Sequence, residues 1–223
     1  MTETTIVPAT RGDDAGGGVD IRIEDDASPI VRLIGRTIAD SVRADGADAV
    51  VAGVAGTVAV RSHDTPQAAT IRISDGVVAV SSGVFVEPDL TLTVDLDARL
   101  ALVGAPVVAG DDDFPARALA LLSPPLPDWR VAAETFWAAA RSVPGIPDVL
   151  VAIADGPDGV AQLVVGEGET HYAIAGPPEL LAGIFTGADD LIAALSTGLI
   201  GVRGTLSQLS VLVAASWKVR YDV

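Results

Sequence analysis

Residues 69–90 read ATIRISDGVVAVSSGVFVEPDL, and residues 161–180 read AQLVVGEGETHYAIAGPPEL. Each stretch opens on an alternating apolar strand and meets an acidic-Gly pair, Asp75-Gly76 or Glu167-Gly168. Each then gives a second strand ending in Gly (Gly83, Gly176) and a Pro-acidic-Leu word, Pro88-Asp89-Leu90 or Pro178-Glu179-Leu180. Alternation of apolar and polar residues is the mark of a half-buried strand. The acidic-Gly pairs stand 92 residues apart, beyond the roughly 20–50 residues of solenoid repeats and close to a small domain. The chain is therefore expected to hold two related α+β halves.

Outward from these stretches, Ser28 and Pro29 open a helix whose apolar face is Ile30, Leu33, Ile34, Ile38 and Val42, with Gly46 as its stop. Strands are expected at 57–62, 69–74, 77–81 and 91–94, and a short helix at 114–122. Ser123-Pro124-Pro125-Leu126-Pro127 is the most linker-like stretch. It divides a first domain, 28–127, from a second, 128–223. Asp128 caps a helix over 129–142, and strands follow at 149–154, 160–165 and 170–175. Pro177 starts a helix to about Phe185, Asp189 and Asp190 open another on Leu191, Ile192 and Leu195, and 200–203 is a short strand. Leu206, Leu209, Val213 and Trp217 recur at helical spacing in the last segment. Residues 1–27, with Gly16-Gly17-Gly18 and seven acids, read as an acidic disordered tail, within which Val19–Ile23 alternates as a short strand would.

Composition narrows the function. The 223 residues are 49% hydrophobic, with mean hydropathy +0.46, enough for a core and an apolar cavity. The net charge of −16 opposes binding to nucleic acid, which needs Lys and Arg against phosphate. There is no Cys, which removes disulfides and thiolate chemistry. The longest uncharged stretches, 49–60 and 204–217, fall short of a membrane span of about 20 residues. No basic and apolar leader opens the chain, and a cytoplasmic protein is the expectation.

Catalytic signals are weak. His63 falls in a turn and His171 in a strand, and they do not correspond between the halves. Asp111-Asp112-Asp113 reads as a cap and a solvated loop, and Gly166-Glu167-Gly168 as a hairpin turn. No catalytic residue, metal site or cofactor is assigned.

The order of elements resembles the sterol carrier protein type-2 family. The resemblance rests on Gly176-Pro177-Pro178-Glu179-Leu180, the helix Asp189–Leu195, the Gly-led strand STGLIGVRGTL at 196–206, and VEPDLTLTVDLDARLALVG at 86–104. It covers most of 28–222 as two divergent copies. The first lacks the Gly-strand-Gly segment, and Thr205 stands where an acidic residue is common. It implies that each half is a small five-stranded, mostly antiparallel sheet with helices on one face. It also implies a tunnel under the C-terminal helix for a fatty acyl chain or sterol-like lipid, walled by Leu181, Ile184, Phe185, Leu195, Leu199, Leu206, Leu209, Leu212, Val213 and Trp217. The function expected is non-enzymatic binding or carriage of such a ligand. The alternative is a scaffold using the same fold for a protein partner or homodimer.

Overall fold

The computed structural model of the protein describes residues 19–45, 51, 53–109, 113–157 and 159–222. They form two compact units, one up to Pro125 and one over Leu126–Asp222. Each unit has its own sheet, and the α+β reading holds for both.

The first unit begins with β1, Asp20–Ile23, and α1, Pro29–Asp45. Its sheet continues through β2 (Gly56–Ser62), β3 (Ala68–Ser74), β4 (Val77–Ser82), β5 (Leu90–Asp95), β6 (Ala101–Leu102) and β7 (Val107–Val108). The strand order is β1-β4-β3-β2-β5-β6, with β7 also on β5. β2, β3 and β4 form an antiparallel meander, and β5 returns parallel to β2. α1 packs on the sheet with Ile30, Leu33, Ile34 and Ile38 of its expected face buried, joined by Val31, while Val42 is half-buried. α2, Phe114–Leu121, packs against α1.

Residues 20–27, expected to be part of the disordered tail, belong to the first unit's fold. β1 joins the sheet parallel to β4, from Asp20↔Val77 to Ile23↔Val80. Glu24 accepts hydrogen bonds from the Ser82 N–H and hydroxyl, and Ala27 is buried. The pairing satisfies backbone groups that a solvated tail would leave to water. Residues 1–18, the stop at Gly46 and Asp111-Asp112 lie outside the described residues. Asp113 sits at the N-cap of α2 without a side-chain capping bond.

The second unit runs α3 (Trp129–Ala140), β8 (Val149–Gly156), β9 (Gly159–Gly166), β10 (His171–Gly176), α4 (Pro178–Thr186), α5 (Leu191–Ser196), β11 (Gly201–Arg203) and α6 (Leu206–Tyr221). Asp128 caps α3 by accepting from the Arg130 N–H at 2.8 Å. The sheet order is β11-β10-β8-β9, four strands where the resemblance implied five. β9 is antiparallel to β8, β10 is parallel to β8 on its other edge, and β11 is antiparallel to β10.

This wiring corrects the reading of the two quoted stretches. Asp75-Gly76 is the hairpin between β3 and β4, but β9 and β10 do not pair with each other. The Gly166-Glu167-Gly168 segment is therefore a crossover around the start of β8, not a hairpin. A Cβ at Gly166 would come within 2.2 Å of the Asp148 carbonyl oxygen, and one at Gly168 within 2.4 Å of the Asp148 Cβ. Both glycines also have positive φ, +96° and +144°, which side chains disfavour. Only glycine lets the chain hug Asp148 there. In topology β10 matches β5, each the strand parallel to the one that opens the antiparallel hairpin (β8 or β2), and the described residues of the second unit hold no counterpart of β4. The Pro words are likewise not equivalent: Pro88-Asp89 precedes β5, whereas Pro178-Glu179 opens α4 after β10.

Candidate functional site

The two faces of the second sheet differ in what covers them. Toward the helices point Leu150, Ala152 and Ala154 of β8 with Tyr172 and Ile174 of β10, all buried. They share one core with Trp129, Phe136 and Trp137 of α3, Leu181, Ile184 and Phe185 of α4, and Leu212, Ala215 and Val219 of α6. Phe136 and Phe185 stack at a ring separation of 5.4 Å. These side chains pack together beneath α6.

The residues expected to wall a tunnel there divide three ways. Leu181, Ile184, Phe185 and Leu212 are buried, and Leu195, Leu209 and Val213 are half-buried at the core margin. Leu199, Leu206 and Trp217 are not inside: they are 58%, 85% and 49% exposed. For Leu206 and Trp217 the reason is the rotation of α6, whereas Leu199 lies in the turn between α5 and β11. The α6 helix buries Leu212, Ala215, Ser216, Val219 and Arg220, a stripe displaced from Leu206, Leu209, Val213 and Trp217. Two contacts fix that rotation at the end of the helix. Arg220 Nη1 donates to the Gly187 and Ala188 carbonyls at 2.8 and 3.1 Å. Trp217 Nε1 donates to Asp190 Oδ2 at 3.3 Å. At the other end Thr205 and Gln208 form a reciprocal capping box.

A groove of about 700 Å³ lies on the opposite face, across β8, β10 and β11. Its floor follows from the strand register, because alternate residues point to this side. One row across the sheet is Val164, Val151, Ala173 and Arg203, and the next is Gln162, Ile153, Ala175 and Gly201. His171 lies at one end, with Nε2 3.2 Å from the Gly168 carbonyl oxygen. Arg203 makes no ion pair among the described residues. The groove is thus apolar along its length and carries one cationic group at its β11 edge.

The first sheet is more polar on the corresponding face. Its rows on β4, β3, β2 and β5 are Ser81, Thr70, Ala59, Thr91 and Ala79, Arg72, Thr57. Thr70 and Ala59 are buried, and the others reach water in part or fully. Polar residues there alternate with the buried apolar ones, as expected of a sheet with one solvated face. The second sheet replaces them with Val, Ile and Ala. Sequence reasoning missed the groove residues because apolar runs such as VLVAIA at 149–154 read as a strand covered on both sides.

The loops that position the groove are held by Asp148 and Thr170, just before the parallel strands β8 and β10. The Asp148 N–H donates to Thr170 Oγ1 at 2.8 Å, and the Thr170 N–H and hydroxyl donate to Asp148 Oδ2 at 3.0 and 2.7 Å. The Thr170 hydroxyl, followed by its N–H, holds the Asp148 carboxyl below the usual carboxylate range. His63 stands 3.8 Å from Asp64 in the first unit. No cluster of three or more metal-ligating side chains occurs among the described residues, and no helix described is long and apolar enough to cross a membrane.

No protein-family model matches the sequence, and no curated protein matches it. Solved structures with overlapping chain paths include two of a sterol carrier protein and a third of a protein described as a candidate one. The NMR structure of a palmitated sterol carrier protein 2 like 2 protein from Aedes aegypti is 16% identical, with 40% of this chain and 95% of that chain covered and a TM-score of 0.33. A crystal structure of sterol carrier protein 2 like 2 from the same organism is 17% identical, covering 38% and 92%, with a TM-score of 0.31. A conserved hypothetical protein from Thermus thermophilus, described as a candidate sterol carrier, is 16% identical, covering 43% and 82%, with a TM-score of 0.27. Overlaps this slight leave the functional conclusion to the geometry of the chain itself.

Proposed function

We propose that the second unit binds a hydrophobic ligand with an acidic head group, non-enzymatically, on the groove face of its sheet. The ligand class is a fatty acid or a similar anionic lipid, and the role is carriage in the cytoplasm. The observation that carries the reading is the pair of apolar rows, Val164-Val151-Ala173 and Ile153-Ala175, ending at Arg203. A sheet face built for water would carry the Thr, Ser and Arg of the first unit. The sterol-carrier resemblance of the sequence agrees with the ligand class, although it implied a tunnel on the other side of the sheet.

The physics bounds the affinity. Full burial of a methylene gives about 0.8 kcal/mol. An open groove covers one side of a chain, so roughly half of that is gained. About twelve methylenes then contribute about 5 kcal/mol, and an exposed carboxylate–Arg203 pair about 1 kcal/mol more. Binding is expected at tens of micromolar or weaker, which suits a ligand that must be released.

Titration with a fluorescent fatty acid tests this. Saturable uptake is expected, lost in Ala173→Trp, whose indole would fill the centre of the groove without entering the core. Arg203→Glu should weaken uptake of the acid and leave that of the corresponding alcohol unchanged. Uptake of the acid unaffected by both substitutions would overturn the assignment.

A further inference from the structure

Every sheet has two edges, and an edge strand offers unpaired backbone groups to any other strand. Proteins blunt such edges with short strands, charges or proline. Three of the four edges here follow that rule. β1 is four residues long and carries the Asp20–Arg22 ion pair. At the other side of the first sheet, β6 and β7 are two residues each. β11 is three residues long and includes Arg203.

β9 breaks the rule. It is eight residues long, GVAQLVVG, without a charge or a proline. Among the described residues it pairs only with β8, in unbroken register from Val149↔Gly166 to Gly156↔Gly159. Val160 and Val164 on its groove side are 71% and 53% exposed. The first sheet covers the equivalent strand, β3, with β4. Among the described residues no strand takes that place in the second unit.

We infer that a second copy of this chain supplies it: two β9 strands pair antiparallel across a two-fold axis at Gln162. The sequence is self-complementary in that register. Residues facing each other across an antiparallel pair must share a side of the sheet, so their numbers must have the same parity. Centring on Gln162 sets Val160 opposite Val164 of the second copy, Gln162 opposite Gln162, and Ala161 opposite Leu163. Apolar thus meets apolar and amide meets amide, with no like charges opposed on the strand. The contact is isologous and closes on itself, which uses up the edge instead of propagating it. It joins the two four-stranded sheets into one of eight strands and doubles the apolar groove face. The partner is argued from this symmetry and from the absence of charge on β9. An acidic or basic peptide finds no counter-charge there.

Charge sets a further expectation. Each copy carries a net −16, and Asp155 and Glu167 flank the ends of the strand. The repulsion is screened over about 8–10 Å at moderate salt, so added salt should tighten the dimer.

Sedimentation of the full chain over a concentration series tests the pairing. The expected result is a monomer–dimer equilibrium that shifts toward dimer with salt. Gln162→Lys and Gln162→Glu each set like charges face to face and should weaken dimerisation roughly tenfold or more. An equimolar mixture of the two variants should restore it as a heterodimer. The chain has no Cys, so Gln162→Cys gives an independent reading that does not need the charged variants to fold. Mild oxidation should convert it to a disulfide-linked dimer. A wild-type chain that stays monomeric at every concentration and salt, or a dimer indifferent to both charges, would overturn the proposal. So would a Gln162→Cys chain that does not cross-link.

Discussion

Asp148 and Thr170 exchange three hydrogen bonds just before the parallel strands β8 and β10. The first unit has a similar link, where the Thr57 N–H donates to Asp89 Oδ2 at 2.8 Å and the Asp89 N–H to the Thr57 carbonyl at 2.9 Å. In each sheet an Asp and a Thr tie the starts of two neighbouring parallel strands, β2 and β5 in the first unit and β8 and β10 in the second. The Asp precedes β8 in one unit and β5 in the other.

The pH response of this link has a definite sign. The Asp148 carboxyl is held below its ordinary value by Thr170. A depressed folded-state value contributes stability above the unfolded-state value, and that contribution is lost as pH falls through the folded-state value. The loss therefore occurs below about pH 4, where free carboxylates titrate. Thr170→Val removes the hydroxyl, and NMR titration should show the Asp148 carboxyl return toward its ordinary value. Thr170→Ser should keep it depressed.

Asp190 serves two elements with one carboxylate. Its Oδ1 accepts from the Ile192 and Ala193 N–H groups at 2.8 and 2.9 Å, and its Oδ2 from Trp217. Asp190→Ala should cost about 1–2 kcal/mol in urea unfolding, the usual loss for an N-cap. Trp217→Phe, which removes only the indole bond, should cost about 1 kcal/mol or less.

The core beneath α6 and the groove face should respond differently to volume changes. Leu212→Ala should destabilise by about 2–5 kcal/mol through the cavity it leaves. Leu209→Trp, at the half-buried margin of the same helix, should cost roughly 1–3 kcal/mol by overpacking and leave fatty-acid uptake unchanged. Loss of uptake in a folded Leu209→Trp chain would return the site to the helix side.

Local signals carried much of the fold. Asp128 before α3, the buried Ile30, Leu33, Ile34 and Ile38 of α1 and the alternation in β3 and β4 each act within a few residues, so they were legible in the sequence. The direction of β10 was not. It depends on the approach of Gly166 and Gly168 to Asp148, and a Gly-Glu-Gly word reads equally well as a tight turn. The rotation of α6 was hidden for a similar reason. Leu206, Leu209, Val213 and Trp217 form one helical stripe, and Leu212, Ala215, Ser216 and Val219 form another. Arg220 argues for a solvated surface by its chemistry, yet it is buried because the Gly187 and Ala188 carbonyls receive it. The groove escaped notice because Val151, Ile153, Ala173 and Ala175 look like core when the covering layer on each side is unknown.

Methyl NMR of the full chain during titration with palmitate tests the central claim most directly. The account predicts saturable shifts at the methyls of Val151, Ile153, Ala173 and Ala175, with Leu181, Ile184 and Leu212 unmoved. Shifts centred on Leu181, Ile184 and Leu212, or no saturable shift at all, would contradict it.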